Sequence, residues 1–295
     1  MFNEKRSIMF KNYSLARGYF IQHPQKLINI EQYMMNLVNE AIISNYSEIE
    51  RNYNEASYLF PFWANYQPIK RGRDPRGDQV PWIEVGEHAV GEGLKRHIAF
   101  AYAISEVGIP SGADDRFILK SNEILNITDG LTDSAFLFMD IKSVGPRDNF
   151  DHAVLSPYQV SGNGIWNSPN ENLQNSIIKA TGSRAIHNFY PAITPIYVLS
   201  NGTIAPTIHL FVKPVYKMLN LENNKKWGQP LDYIVNVCVP NGLLLTVSPN
   251  YLKQYPQLFY PGKDTADKNP LKIRARVSFE ILREIGPWRY FSTKR

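Results

Sequence analysis

The stretch Ala135-Phe136-Leu137-Phe138-Met139-Asp140-Ile141-Lys142-Ser143 constrains this chain more than any other. Its opening run of apolar residues has the length of a strand and reads as one buried on both faces. Such a strand belongs inside a sheet whose two sides are covered. The run then ends in charge, and a buried strand that emerges at a polar edge is where open α/β sheets build their sites.

The segments before and after it are of different kinds. From about residue 26 to residue 47, Leu27, Ile30, Tyr33, Met34, Leu37, Ala41 and Ile42 recur at three- and four-residue spacing, which predicts a helix whose apolar face packs in the core or in a dimer. Gln67 to Gly77 is rich in proline and arginine and reads as a loop, with Lys70, Arg71, Arg73 and Arg76 able to lie on phosphates. A second helix is expected from about Ile83 to Val107, carrying Glu84 and Glu87. Strands are expected at Arg116 to Leu119, Ile196 to Ser200, Ile204 to Val215, Tyr233 to Val239 and Ile273 to Leu282. Asn201-Gly202 signals a tight hairpin with positive φ at both turn positions. Helices first, then a mixed sheet with hairpins, give an α/β or α+β chain, read as one domain over 1–295 with a helical part to about 107 and a sheet-rich part from about 108.

Composition narrows the setting. A net charge of +5 in 295 residues, with 27 acidic side chains against 32 basic ones, allows a local basic patch and is weak evidence of a nucleic-acid partner by itself. Cys238 is the only cysteine and lies among Val235, Val237 and Val239, so it reads as a small core hydrophobe in a reducing cytoplasm. No stretch has the length and apolarity of a membrane span, and the first residues lack the apolar region of a signal peptide. No membrane partner is expected.

Asp140 and Lys142 are two apart on a strand and so share a face, with the Ile141 carbonyl at the strand end. Alone, a triplet of this kind is as well explained by an exposed ion pair, since one or two are expected by chance among the acidic residues. Its context adds weight. Asp114-Asp115 follows the turn Gly108-Ile109-Pro110-Ser111-Gly112 and precedes a strand able to pair with the Asp140 strand. Asp114, Asp140 and the Ile141 carbonyl would then form an all-oxygen site suited to Mg²⁺, with Lys142 beside it, which is what phosphodiester hydrolysis requires. A structural ion pair or another metal-binding protein remains the alternative at this point.

Competing sites are absent. The histidines have no metal-ligand spacing, and His209, in Thr207-Ile208-His209-Leu210-Phe211, reads as a hydrogen-bonded strand residue. Neither Gly86 to Gly91 nor Gly162-Asn163-Gly164 is followed by the lysine of a nucleotide P-loop. Near the end, Lys263 to Arg276 is a charged loop entering a strand, with Arg274 and Arg276 on one face. Arginine can read guanine bidentately, so this segment suits base contacts in the major groove, although a charged edge strand explains it equally well.

Six segments together, Gly77 to Glu87, Asp140 to Asp148, Gln159 to Gly164, Asn201 to Pro206, Val239 to Leu243 and Pro261 to Asp264, resemble the BglI family of type II restriction endonucleases, within the PD-(D/E)xK nuclease superfamily. The resemblance spans nearly the whole chain. It implies an α/β, restriction-endonuclease-like core with a central mixed β-sheet flanked by helices, and a homodimer that cuts double-stranded DNA with Mg²⁺. It also implies Asp114 and Asp140 as metal ligands, Lys142 acting on the attacking water and Glu87 as an accessory carboxylate. The family reads an interrupted palindrome with half-sites GCC and GGC (GCC-N5-GGC), which would assign base contacts to Arg73, Asp148, Lys263, Asp264, Arg274 and Arg276. Two positions depart from the pattern, Arg73 in place of lysine and Thr265 in place of a base-reading aspartate, for which Asp264 or Asp267 would substitute, and Ala113 stands where the superfamily motif has proline. A cognate DNA methyltransferase is expected in the same cell, not as a stable subunit. The rival readings are a structure-specific or repair nuclease on the same fold and a catalytically silent DNA-binding regulator.

Overall fold

In the computed structural model the described residues are 2–65, 82–101, 103–106, 112–144, 150–217, 230–262, 269 and 272–294. Two helices open the chain, α1 (Phe2–Gln22) and α2 (Pro24–Asn65). Pro24 at the first position of α2 has no N–H to lose there, so it starts one helix where the previous one stops. The apolar stripe of α2 is buried from Leu27 through Ile42 and continues in Ile49 and Tyr53, which carries the helix well beyond the expected end at residue 47.

Helix α3 (Trp82–Ala101) lies beside α2 and ends sooner than the apolar periodicity suggests. Ala103–Glu106 forms instead an edge strand, β1, antiparallel to β2 (Asp115–Lys120). Pairing with a partner already fixed in the sheet overrides the helical pattern over these four residues. A short helix, α4 (Asn122–Ile127), is capped by the Ser121 side chain, which accepts from the Glu123 N–H, and leads through Asp129 and Gly130, both at positive φ, into β3 (Ser134–Ile141). All eight residues of β3 are buried.

Further along come β4 (His152–Leu155), a 3-10 turn at Pro157–Gln159, β5 (Ile178–Thr181), β6 (Ile186–Phe189), β7 (Ile196–Val198), β8 (Ile204–Tyr216) and β9 (Leu231–Val239). The expected hairpin joins β7 to β8, but only Gly202 has positive φ; Gly202 N–H donates to Leu199 O and Leu199 N–H to Thr203 O, so the glycine closes a wider turn. Helices α5 (Gly242–Thr246) and α6 (Tyr251–Gln254) precede β10 (Phe259–Pro261) and β11 (Ala275–Ser278). The strand expected to run to Leu282 stops at Ser278, whose side chain caps α7 (Phe279–Ile285) by accepting from Ile281 N–H. β12 (Tyr290–Ser292) follows.

The main sheet has the order β1-β2-β3-β8-β9-β12, with β7 also on β8. It is mixed because β3 and β8 run parallel while the other pairs are antiparallel. Alternation sends Leu137, Met139 and Ile141 to one face, against α2 and α3, in a core shared with Ile208, Leu210 and Val212. On the opposite face Phe211, Val235 and Val237 pack against a second sheet, β10-β11-β4, through Leu155, Phe259, Ala275 and Val277. Helices thus cover one side and a small sheet the other.

Among the described residues one ion pair is wholly buried. Arg289 Nη2 lies 2.6 Å from Glu31 Oε2, and Glu31 Oε1 accepts from Asn241 N–H at 2.6 Å. Burial pushes the Glu31 carboxyl up and Arg289 opposes it. The pair ties α2 to the end of β9 and to the segment before β12.

Candidate active site at the end of the central strand

Strand β3 carries Asp140 as its last residue but one, opposite Phe211 of β8, and β2 begins one residue after Asp114. Ile141 N–H donates to Asp114 Oδ2 at 2.6 Å. A strand residue sends its N–H and C=O to the same neighbour, so the Ile141 carbonyl also emerges on the Asp114 side, past the end of the β2 ladder. The Asp114 carboxylate and the Ile141 carbonyl therefore converge there. Lys142 Nζ lies 2.5 Å from Asp140 Oδ2, which places carboxylate and ammonium on one face as the spacing predicts. Lys142 N–H donates to Val212 O at 2.8 Å, fixing its backbone to β8.

Electrostatics follow from this crowding. Asp140 is 3% exposed, and burial raises its carboxyl to about 6, with Lys142 pulling it down and Asp114 pushing it up. Asp114 as a residue is exposed, but its carboxyl is turned in against the sheet end. Desolvation lifts it above the ordinary carboxylate range, against the Ile141 N–H, Lys142 and Arg116. Two carboxylates held in this state favour a cation between them.

The donor set fits a small divalent ion. All candidate donors are oxygens, and among the described residues the buried Asp140 Oδ2 meets the Lys142 ammonium alone. Among the described residues no three His, Cys, Asp or Glu side chains gather into a cage. Mg²⁺ is commonly held by one or two carboxylates and several waters, so Asp114, Asp140 and the Ile141 carbonyl are enough.

Glu87 is carried by α3, which packs against β3. Helix α3 approaches β3 through glycines: a Cβ on Gly86 would sit 1.7 Å from Ser143 Oγ, and one on Gly91 would sit 2.8 Å from Ile141 Cδ1. Ile141 and Ser143 alternate with Asp140 and Lys142, so α3 covers the other face of the strand. Glu87, half-buried on α3, is brought to the end of β3 without joining the two aspartates in a three-carboxylate cluster.

Of the expected base readers, Arg73, Asp148, Lys263 and Asp264 lie outside the described residues. Arg274 is exposed just before β11, rather than in the strand, and Arg276 is within it. Arg276 Nη1 donates to Pro261 O at 3.1 Å and its guanidinium lies 5.9 Å from the Tyr260 ring centre, so its direction is set in advance. Phe211 is the register partner of Asp140 in a parallel pair and shares its face, and that face carries the small sheet of β11. Acid pair and arginine strand are therefore on the same side of the main sheet. Lys213 of β8 joins the two layers by donating to His152 O at 2.6 Å.

Gln159 was not singled out as a site residue from the sequence. It is buried, donates from Nε2 to Asp140 Oδ1 at 2.5 Å and to Gly112 O at 2.8 Å, and accepts on Oε1 from Ser156 N–H at 2.8 Å. No spacing rule links residue 159 to residue 140, so only the Gln159 to Gly164 segment hinted at it.

Comparison with known proteins places the arrangement. The family model described as restriction endonuclease BglI matches residues 8–293. The type II restriction enzyme BglI of Bacillus subtilis is 46% identical over 291 residues, covering 97% of each chain. A crystal structure of the restriction endonuclease BglI bound to its DNA recognition sequence superposes with a TM-score of 0.91, at 46% identity, over 99% of this chain and 98% of that one. The tetrameric restriction endonuclease SfiI bound to cognate DNA matches with a TM-score of 0.57 at 15% identity, over 92% and 85% of the two chains, a likeness of fold alone.

Proposed function

The chain belongs to the BglI family of type II restriction endonucleases, and from that premise we propose that one domain over 1–295, working as a homodimer, uses Asp114, Asp140 and Lys142 to hydrolyse both strands of duplex DNA at a GCC-N5-GGC-like site with Mg²⁺. The observation that carries this reading is the convergence of Asp114, Asp140 and the Ile141 carbonyl at the end of β3 with Lys142 alongside.

Asp114, Asp140 and the Ile141 carbonyl would hold the ion. Bound there, a divalent cation supplies Lewis acidity, lowering the pKa of water and stabilising charge on the scissile phosphate. The Lys142 ammonium, on the Asp140 face, orients the attacking water and offsets negative charge on the phosphate. Attack forms a new P–O bond, the bond to the 3′ oxygen breaks, and the products are a 5′-phosphate and a 3′-hydroxyl. Glu87 serves as an accessory carboxylate from behind the strand end. Base reading falls to Arg274 and Arg276 on the same side of the sheet, together with Arg73, Asp148, Lys263 and Asp264. Two-fold symmetry of the dimer matches the two half-sites, each subunit cutting one strand. The protein works in the cytoplasm, with a separate methyltransferase protecting the host's own sites; among the described residues no helix is long and apolar enough to cross a membrane.

The test is digestion of a large defined duplex by wild type and Asp140→Ala, each with Mg²⁺ and with EDTA. Discrete fragments from wild type only with Mg²⁺, and none from a variant that still binds the DNA, are expected. A variant that cuts at the wild-type rate would remove Asp140 from the mechanism.

A further inference from the structure

The Gln159 amide uses every hydrogen-bonding direction that matters at this site. Its two N–H groups are divided between Asp140 Oδ1, at 2.5 Å, and Gly112 O, at 2.8 Å, while its oxygen takes the Ser156 N–H. That division also fixes which end of the amide is nitrogen, because neither carboxylate nor carbonyl can donate. The turn grips Gly112 a second time, through Gly112 N–H to Tyr158 O at 3.0 Å. Gly112 is two residues before Asp114. One side chain thus spans the carboxylate of Asp140 and the backbone that leads to Asp114.

The two oxygens of Asp140 are left in different states. Oδ1 is occupied by the amide, which is itself pinned at Gly112 and Ser156, whereas Oδ2 is engaged by the Lys142 ammonium at 2.5 Å, on a flexible stem. A cation can displace the flexible ammonium from Oδ2 more readily than the pinned amide from Oδ1, which leaves Oδ2 as a monodentate ligand. Mg²⁺ demands near-octahedral geometry and takes carboxylates one oxygen at a time, while Ca²⁺ accepts bidentate carboxylates and looser shells. We infer that Gln159 is a positioning residue that holds Asp140 as a one-oxygen ligand and so biases the site towards Mg²⁺ over Ca²⁺. The inference rests on the reading of Asp140 as a metal ligand.

Space around the clamp agrees with a fixed role. A Cβ on Gly112 would lie 2.9 Å from Ser156 Oγ and 3.2 Å from Gln159 Cγ, so the glycine lets the turn close on the strand entry. Gln159→Met keeps the length and removes both donors. Gly112→Ala keeps the amide and displaces it, a second perturbation should the first variant fail to fold.

The experiment is calorimetric titration of Mg²⁺ alone and Ca²⁺ alone into wild type, Gln159→Met, Gly112→Ala and Asp140→Asn. Partners that orient a ligand typically change metal affinity by about 10- to 100-fold when removed. Mg²⁺ affinity is expected to fall by roughly that factor in Gln159→Met and less in Gly112→Ala, with Ca²⁺ affinity held or raised, so the ratio of the two shifts. An unchanged ratio overturns the inference, whether both affinities stay or both fall together as a merely structural role would have it. If Asp140→Asn binds Mg²⁺ as wild type does, the ligand assignment itself fails; if it does not, and the Gln159→Met ratio is unmoved, only the inference falls.

Discussion

Acidification to about pH 5 should cost the folded protein about 2 kcal/mol through one side chain, His209. It is 1% exposed in β8, and its Nε2 accepts the Ser161 N–H at 3.0 Å, so the neutral ring carries its proton on Nδ1, which meets no acceptor among the described residues. Burial depresses its pKa from 6.5 to about 3. The unfolded chain then takes up a proton near 6.5 and the folded one does not until about 3. Stability from this group is therefore complete above about 6.5 and is lost progressively as pH falls through that window. The loss at pH 5 depends only on the distance from the unfolded pKa, so it holds for any folded value well below 5. Urea unfolding of wild type and His209→Gln at about pH 7.5 and about pH 5 isolates it, because the glutamine can still accept the Ser161 N–H and does not titrate. Glu31 and Asp140, both displaced upward, favour the folded state on acidification, but equally in both proteins. Identical pH dependence in the two would refute the reasoning.

Three further outcomes follow from other contacts. Arg289→Met should destabilise by about 3–5 kcal/mol by stranding a buried carboxylate, and adding Glu31→Met should restore most of it, as read by denaturant midpoints. Gly86→Ala should cost about 1–3 kcal/mol, since its Cβ would meet Ser143 Oγ, and should slow cleavage because Ser143 follows Lys142; thermal unfolding and a rate assay check both. Arg276→Lys keeps the charge but not the planar fork, so affinity for the cleaved site should drop by about 1–3 kcal/mol while affinity for random duplex is unchanged in a binding titration.

What the sequence disclosed and what it hid divide along the range of the interactions. Strand β3, the shared face of Asp140 and Lys142, and the pairing of the Asp114 segment with β3 were all legible, because period-two alternation and a nearby acidic pair are local signals. The end of α3 and the strand at 273–282 were misread where tertiary pairing replaced a helical pattern at Ala103 and where Ser278 capped a helix inside an apolar run. Gln159 and Lys213 stayed invisible, since each acts on a partner more than fifteen residues away with no pattern to announce it. Glu87 was named through family resemblance, and residue spacing offered no way to see that its helix lies behind the strand.

The buried bond between Glu31 and Arg289 also bears on the order in which the molecule is made. Asp114, Asp140 and Lys142 leave the ribosome long before residue 289, yet without that arginine Glu31 has no counter-charge in the interior and β12 has not yet paired with β9. A growing chain thus carries these three residues before the contacts that stabilise the sheet around them exist, so a product cut short before residue 289 is expected to fold less stably than the full chain.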